Sequence, residues 1–324
     1  MTMTLSGSPL GFLSSAGLRA DTILPLTWFT LVVSAVVCTV IAVLLWAAVR
    51  KGRRVAAPED MRSVPIERGG NGIRWITVGL LISCVPLAIT LVWTMLTLAA
   101  VAGPPAHPGL VLDVTAHQFW WEVKYNGDGP ADIFTTANEI HIPLDVPVLV
   151  RLHGGDVIHS FWVPKLSGKT DAIPGQTNVS WLQAHTPGRY LGQCSEFCGW
   201  QHARMQFEVV AESPQQFNAW RSAQLKPAAP PMTAEQTRGM QFVEYRCGLC
   251  HQVRGTSAGA VAAPDLTHLM SRRTIAAGAL VNNVGNLAGW VQSPQSTKPG
   301  SQMPNQFLSG EQLADTLAYL ELLK

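Results

Sequence analysis

Residues 194–205 read Cys194-Ser195-Glu196-Phe197-Cys198-Gly199-Trp200-Gln201-His202-Ala203-Arg204-Met205. Two thiols, an imidazole and a thioether share one short loop. A further imidazole, His159, lies upstream in Val157-Ile158-His159-Ser160-Phe161-Trp162. Thiolate, imidazole and a weak thioether are the donors of copper electron-transfer sites, in which one copper takes two His, one Cys and one Met. A second Cys is left over here, which gives capacity for a second metal bridged by both thiolates. Two other readings stand beside this one. A structural zinc site of two Cys and two His would use many of the same residues but leave Met205 idle. A disulfide between Cys194 and Cys198 is the other. His159 alone would read as a surface or core histidine, and it gains meaning only from the loop.

The sequence around the loop has the period of short strands. Runs at 110–114, 118–125, 139–142, 148–152, 178–183 and 205–210 are β-rich, and several alternate apolar and polar residues. Turn clusters such as Asn126-Gly127-Asp128-Gly129-Pro130 separate them. Many short strands with regular turns predict an antiparallel sandwich or barrel, for which about 100 residues suffice.

Upstream, the composition changes. The chain is 47% hydrophobic and only 14% charged, too apolar for an ordinary soluble protein and too polar for a multi-span transporter. The excess lies in two runs, about 26–49 and 73–101, each long enough to cross a ~30 Å hydrocarbon core as a helix. Trp28, Trp46 and Trp75 stand at their ends, as interfacial aromatics do, and Pro86 predicts a kink in the second. Cys38 and Cys84 within the runs read as small buried apolar residues. The connection carries Arg50, Lys51, Arg53, Arg54, Arg62, Arg68 and Arg74 against Glu59, Asp60 and Glu67, whereas Arg19 is the one basic residue before the first run. The positive-inside rule places this loop in the cytoplasm and both chain ends outside. A cleaved signal peptide is the competing reading of the first run, disfavoured by its length and its non-basic leader. The net charge of +2 gives a nucleic-acid partner no electrostatic support.

Downstream, residues 226–231 read Lys-Pro-Ala-Ala-Pro-Pro, a stiff linker. Beyond it Thr233 with Gln236 and Ser309 with Gln312 fit capping boxes, and Leu313, Leu317 and Leu320 line one face of a closing helix. Between them Cys247-Gly248-Leu249-Cys250-His251 is a C-x-x-C-H haem c attachment pattern, with two thioether bonds to the porphyrin and the His as proximal iron ligand. A thioredoxin-like pair lacks its βαβ context. For the sixth ligand, Met303 in Pro299-Gly300-Ser301-Gln302-Met303-Pro304 is preferred over Met270, with His268 a minor alternative. A Met–His pair raises the haem potential, which suits a donor feeding copper.

The loop 194–205 resembles the binuclear copper (CuA) loop of cytochrome c oxidase subunit II. The resemblance covers most of the chain to about residue 220 and includes His117-Gln118-Phe119-Trp120-Trp121, Glu139-Ile140-His141-Ile142-Pro143, Asp156-Val157-Ile158-His159-Ser160-Phe161 and Asp171-Ala172-Ile173-Pro174-Gly175. It implies an N-terminal segment and two-helix transmembrane hairpin at 1–103 and a cupredoxin-like CuA domain at 104–225; with the linker at 226–232 and the all-α class I cytochrome c domain at 233–324 expected from the haem motif and its helices, the chain reads as a multi-domain membrane protein. It implies that Cys194 and Cys198 bridge two copper ions, that His159 and His202 each bind one, and that Met205 and the carbonyl of Glu196 are further ligands. The Glu196 side chain would face a magnesium ion shared with subunit I.

The implied function is electron transfer from haem c to the copper pair and on to subunit I, with no catalytic residue in this chain and oxygen reduction in that partner. Subunit III, an external donor such as a cytochrome, and membrane lipid are the other implied partners, and the implied location is the bacterial cytoplasmic membrane with copper and haem on the outer side. Two departures stand out. Phe119-Trp120-Trp121 replaces the commoner form, in which Trp comes first as the electron-entry residue and Tyr second; all three rings read equally well as barrel packing. The second run opens Asn71-Gly72-Ile73-Arg74-Trp75 without the Glu many relatives carry there, so no proton-uptake role is assigned. Rival functions are a membrane-tethered cytochrome without an oxidase, and a subunit of a nitric-oxide or nitrous-oxide reductase with a similar copper loop.

Overall fold

The computed structural model describes residues 10–52, 72–104, 107–127 and 129–324. Arg53, Arg54, Arg62 and Arg68 of the basic connection, its acids Glu59, Asp60 and Glu67, and also Asn71, Pro105 and Asp128 lie outside the described residues. Among the described residues, one compact unit comprises those from Gly103 to Lys324 together with those up to Asp21, and a second comprises those from Thr22 to Ala102.

The second unit is built from α1 (Leu18–Gly52) and α2 (Gly72–Val101). Both are long and apolar enough to cross a membrane. α1 begins eight residues before the predicted run, because the polar turn from Leu18 is itself helical. α2 continues through Pro86 as one helix. Cys38 and Cys84 are exposed on these helices rather than buried. A helix apolar all round has no single core face, and its side chains are suited to lipid.

Between Leu110 and Glu212 the described residues of the first unit form ten strands: β1 (Leu110–His117), β2 (Trp120–Tyr125), β3 (Phe134–Ala137), β4 (Glu139–Pro143), β5 (Val148–Gly154), β6 (His159–Trp162), β7 (Thr170–Ala172), β8 (Asn178–Leu182), β9 (Gly188–Cys194) and β10 (Gln206–Glu212). They form two five-stranded sheets, ordered β3-β2-β1-β5-β8 and β4-β10-β9-β6-β7. The β1–β5 and β10–β4 pairs are parallel; the others are antiparallel. This is a cupredoxin-like half-barrel. Strand β1 alternates buried and half-buried residues, and β2 does the same, so Leu112, Val114, Trp121, Val123 and Tyr125 point inward against Ile140, Phe161, Phe207 and Val209 of the facing sheet. Period-two alternation of this kind fixes register, since a one-residue slip would turn the whole set outward. β4 departs from it, being buried throughout, because α3 (Pro214–Gln224) lies over its outer face. Trp220 of α3 stacks on His141 at 4.0 Å.

The C-terminal part is helical: α4 (Ala234–Phe242), α5 (Val284–Gln292), α6 (Pro294–Thr297) and α7 (Gly310–Leu320). Thr233 and Ser309 close the capping boxes that the sequence predicts, each side chain accepting from the backbone N–H three residues on. Gly239 allows α4 and α7 to cross closely; a Cβ there would lie 1.9 Å from the carbonyl oxygen of Asp315. A helical bundle with this cross is consistent with a cytochrome c fold. Its core is small, around Val243, Leu269, Leu287, Val291, Tyr319 and Leu323.

Candidate metal centre

β9 ends at Cys194, and the loop that follows turns back into β10, so its two ends are hydrogen-bonded neighbours: the Cys194 N–H donates to the carbonyl of Met205 at 3.1 Å. β6 lies beside β9 with Phe161 opposite Cys194, which carries His159 to the same end of the sheet. Gly199 makes the turn at φ 125°, a conformation other residues rarely adopt.

The donor atoms form a chain. His159 Nδ1 lies 3.8 Å from Cys194 Sγ, Cys194 Sγ 3.9 Å from Cys198 Sγ, and Cys198 Sγ 3.6 Å from His202 Nδ1 and 3.8 Å from Met205 Sδ. The Glu196 carbonyl is 3.3 Å from Cys194 Sγ. Both thiols are free, so the disulfide reading is set aside. His159, Cys194 and Cys198 are all buried, with donor atoms within 4.8 Å of one another, and form a cluster able to hold a metal ion; His202 falls outside that mutual distance. Met205 is fully buried, while the Glu196 side chain is exposed.

Electrostatics follow from the contacts. The Cys194 thiol is pulled far down, first by the hydrogen bond from Cys198 and then by His159; the thiolate so formed pushes the Cys198 thiol up. Burial works against a charged His159, yet its bonds to Cys194 and Asp156 raise its pKa. Two thiols that resist joint ionisation are a proton store, and a cation binding both would release it.

Several supporting residues were not anticipated as site residues. Asp156 Oδ1 holds His159 Nε2 at 2.8 Å, and its other oxygen accepts from the Gln118 N–H at 2.6 Å. The Gln118 side chain donates to the carbonyl of Cys198. The signal for Asp156 was visible as an acid three residues before a ligand-type His; Gln118 carried none.

The three aromatics separate. Phe119 is buried, and its ring lies against Gly199 of the loop. Trp121 is fully buried, edge-on to His159 at 6.1 Å, with Nε1 donating to the Met205 carbonyl at 3.5 Å. Trp120 points away and stacks on His117 at 4.6 Å.

In the helical part, Cys247 is half-buried and Cys250 exposed where α4 widens into a π-helical turn at Val243–Cys247. His251 Nδ1 donates to the carbonyl of Pro264 at 2.7 Å, and its Nε2 has no hydrogen-bond partner among the described residues. A carbonyl fixing one ring nitrogen and leaving the other free is the arrangement of an axial imidazole. His268 is unsuitable as a ligand, because both ring nitrogens are taken by the carbonyls of Lys324 and Lys226 at 2.6 and 3.1 Å. Met270 packs on the small core and its N–H donates to Leu323. Met303 is half-buried in a loop pinned by Gln295, whose amide donates to the Met303 carbonyl at 2.7 Å. Tyr245, Leu249, Val261 and Phe307 remain exposed around a thin core, apolar surface that a flat macrocycle would cover. The residues present therefore fit a covalently attached haem.

A family model described as "Cytochrome C oxidase subunit II, periplasmic domain" matches residues 113–213, and one described as "Cytochrome c" matches residues 236–324. Cytochrome c oxidase subunit 2 of Alkalihalophilus pseudofirmus is 34% identical over 330 residues, covering 100% of this chain and 94% of that protein. Cytochrome c oxidase subunit 2 of Bacillus subtilis is 31% identical over 345 residues, covering 99% and 95%. The crystal structure of the periplasmic domain of subunit II of the Bradyrhizobium japonicum cytochrome oxidase is 30% identical, covers 38% of this chain and 96% of its own, and has a TM-score of 0.34.

Proposed function

The chain belongs to the cytochrome c oxidase subunit II family, and from that premise we propose that it holds two copper ions in the 194–205 loop and one covalent haem c after the linker. It is an inner-membrane protein whose C-terminal part is periplasmic, a partner of a haem-copper subunit I, and it transfers electrons toward that oxygen-reducing subunit.

The copper ligands in this proposal are His159, Cys194, Cys198, His202, Met205 and the Glu196 carbonyl. Cys247 and Cys250 would hold the haem covalently, and His251 and Met303 would ligate its iron. The division into hairpin 1–103, copper domain 104–225, linker 226–232 and haem domain 233–324 is part of the same proposal. So are a magnesium ion beside the exposed Glu196 carboxylate, subunit III and an external cytochrome donor. Bound there, the two groups would supply one-electron relays. The chain's own part is to hold their ligands still: donors on paired strands keep one geometry in both redox states, so little must reorganise.

The observation that carries the reading is the order of the donors. One imidazole faces each thiol and the thiols face each other. A single tetrahedral zinc would need its four donors mutually about 3.3–3.8 Å apart, whereas His202 lies beyond the mutual 4.8 Å cluster. Shared between two ions, the same donors would all be used, Met205 included. Neither the tethered-cytochrome nor the nitrogen-oxide reductase reading has an observation in its favour. Purification from the membrane tests the proposal: the chain co-purifies with a haem protein that consumes oxygen and not nitric oxide, and Cys198→Ser stops that consumption. Recovery without such a partner, or oxygen consumption unaffected by the substitution, would contradict it.

A further inference from the structure

The helical part does not hang from its linker. Residues 297–300 lie on the copper loop. Gln201, buried and next to His202, donates from Nε2 to the carbonyl of Pro299 at 2.8 Å. Arg204 donates to the carbonyl of Thr297. A Cβ on Gly300 would meet Trp200 at 3.9 Å. A second seam runs along β10, where the Gln206 N–H donates to the carbonyl of Ala277 at 3.1 Å and Arg273 reaches Glu208 at 3.2 Å.

Lys298 joins the two seams. It is 2% exposed, and its Nζ donates to the carbonyl of Phe119 at 2.7 Å and to that of Ala276 at 3.1 Å. No carboxylate pairs with it among the described residues. An ammonium taken out of water is costly unless hydrogen bonds offset it, and two backbone carbonyls from two different segments accept from this one. From the dock to Met303 the loop is pinned: Gln295 accepts from the Gly300 N–H at 2.9 Å and donates to the carbonyls of Ser301 and Met303, each at 2.7 Å.

We propose that Lys298 is a positioning residue that fastens the Met303 loop of the fused haem domain onto the copper loop at Phe119, so that the domain permanently occupies this face of the copper site and external donors deliver to the haem rather than to the copper. The inference rests on the copper and haem reading above. It gives the buried Phe119 a role that its ring alone did not suggest: its carbonyl is the docking point. The exclusion follows from the same contacts, because a second protein cannot reach Phe119 while Lys298 caps it.

The test uses the full chain in its oxidase complex, comparing wild type with Lys298→Met, which keeps length and apolar bulk but removes the donor. Light-triggered electron transfer from haem to copper slows about tenfold or more, as expected when reacting partners lose their fixed placement. Exchange of the Gln206 amide hydrogen rises, while the haem and copper absorption bands keep their wild-type form. In chains also carrying Cys247→Ser and Cys250→Ser, and so lacking attached haem, a soluble reduced cytochrome c reduces the copper directly only when Lys298 is replaced. Unchanged transfer rate and unchanged Gln206 exchange in Lys298→Met overturn the proposal. If Lys298→Met does not fold, Arg273→Gln with Arg204→Gln, both at exposed positions of the seams, gives a smaller change in the same two readouts; their constancy overturns it equally. Absence of copper or haem bands in the wild type would instead be failure of the underlying reading.

Discussion

The carboxylate of Asp156 holds the outer nitrogen of His159 at 2.8 Å, leaving the inner nitrogen of the ring facing Cys194. The histidine is fully buried and its tautomer is set by this contact. Removing an outer partner of a ligating histidine commonly lowers metal affinity by about 10–100-fold. Asp156→Ala is therefore expected to weaken copper binding by that factor while leaving the bands at saturating copper recognisable. Copper titration of the metal-free chain against a competing chelator measures it.

The two centres are expected to fail independently. Cys198 touches Cys194, His202 and Met205, so Cys198→Ser abolishes the thiolate–copper bands and leaves the haem α band intact. Met303→Ala alters the haem spectrum and spares the copper. Visible and near-infrared spectra of each variant check both halves.

His141 makes stability depend on pH. It lies between Glu139 at 2.9 Å and Glu212 at 2.8 Å, under the ring of Trp220. Burial opposes its charge, but the two carboxylates win and raise its pKa above the ordinary 6.5. Burial likewise opposes the Glu139 charge, and His141, Arg189 and the Arg273 N–H together bring its pKa below the ordinary 4.5. The histidine's contribution is complete below 6.5 and lost as pH rises through its folded value above that. That of Glu139 is complete above 4.5 and lost as pH falls through its lower folded value. Thermal unfolding of the barrel should thus be highest between these limits, and His141→Phe should remove the decline on the alkaline side. An alkaline decline unchanged in His141→Phe would show that another group is responsible.

At the helix cross, a side chain at Gly239 has no room, with Asp315 backbone 1.9 Å from its Cβ position. Gly239→Val is expected to cost the haem domain about 2–3 kcal/mol or more, at the upper end for overpacking. Denaturant unfolding followed at the haem band measures it, with the copper bands as internal control.

Much of this was legible in the sequence. The apolar runs declared α1 and α2, and both capping boxes marked the starts of α4 and α7 to the residue. Strands β3, β6, β7 and β9 lie outside the predicted runs, and for β6 and β9 the physical reason is plain. β6 begins with two buried polar residues, His159 and Ser160, followed by buried Phe161, so no alternation shows. β9 carries glycines at 188 and 192 and ends in the copper loop, which dilutes its strand character. α3 begins with Ser213-Pro214 and Gln216, a capping box of the same kind as the other two, but its polar body hid it. The donor set was readable because its members cluster in the chain. Gln118 was not, and Asp156 showed only as an acid three residues before His159, since their value lies in hydrogen bonds made only once the chain has folded. Lys298 was further out of reach, being a lone lysine in a loop until folding takes it out of water, where burial pulls its ammonium down to about 7.

Metal stoichiometry of the purified full-length chain tests the central claim most directly. Elemental analysis together with the visible and near-infrared spectrum should give two coppers for each haem, with intense sulfur-to-copper absorption that vanishes on chelation while the haem band persists. One zinc per chain, or a single copper insensitive to loss of Cys198, would contradict the account.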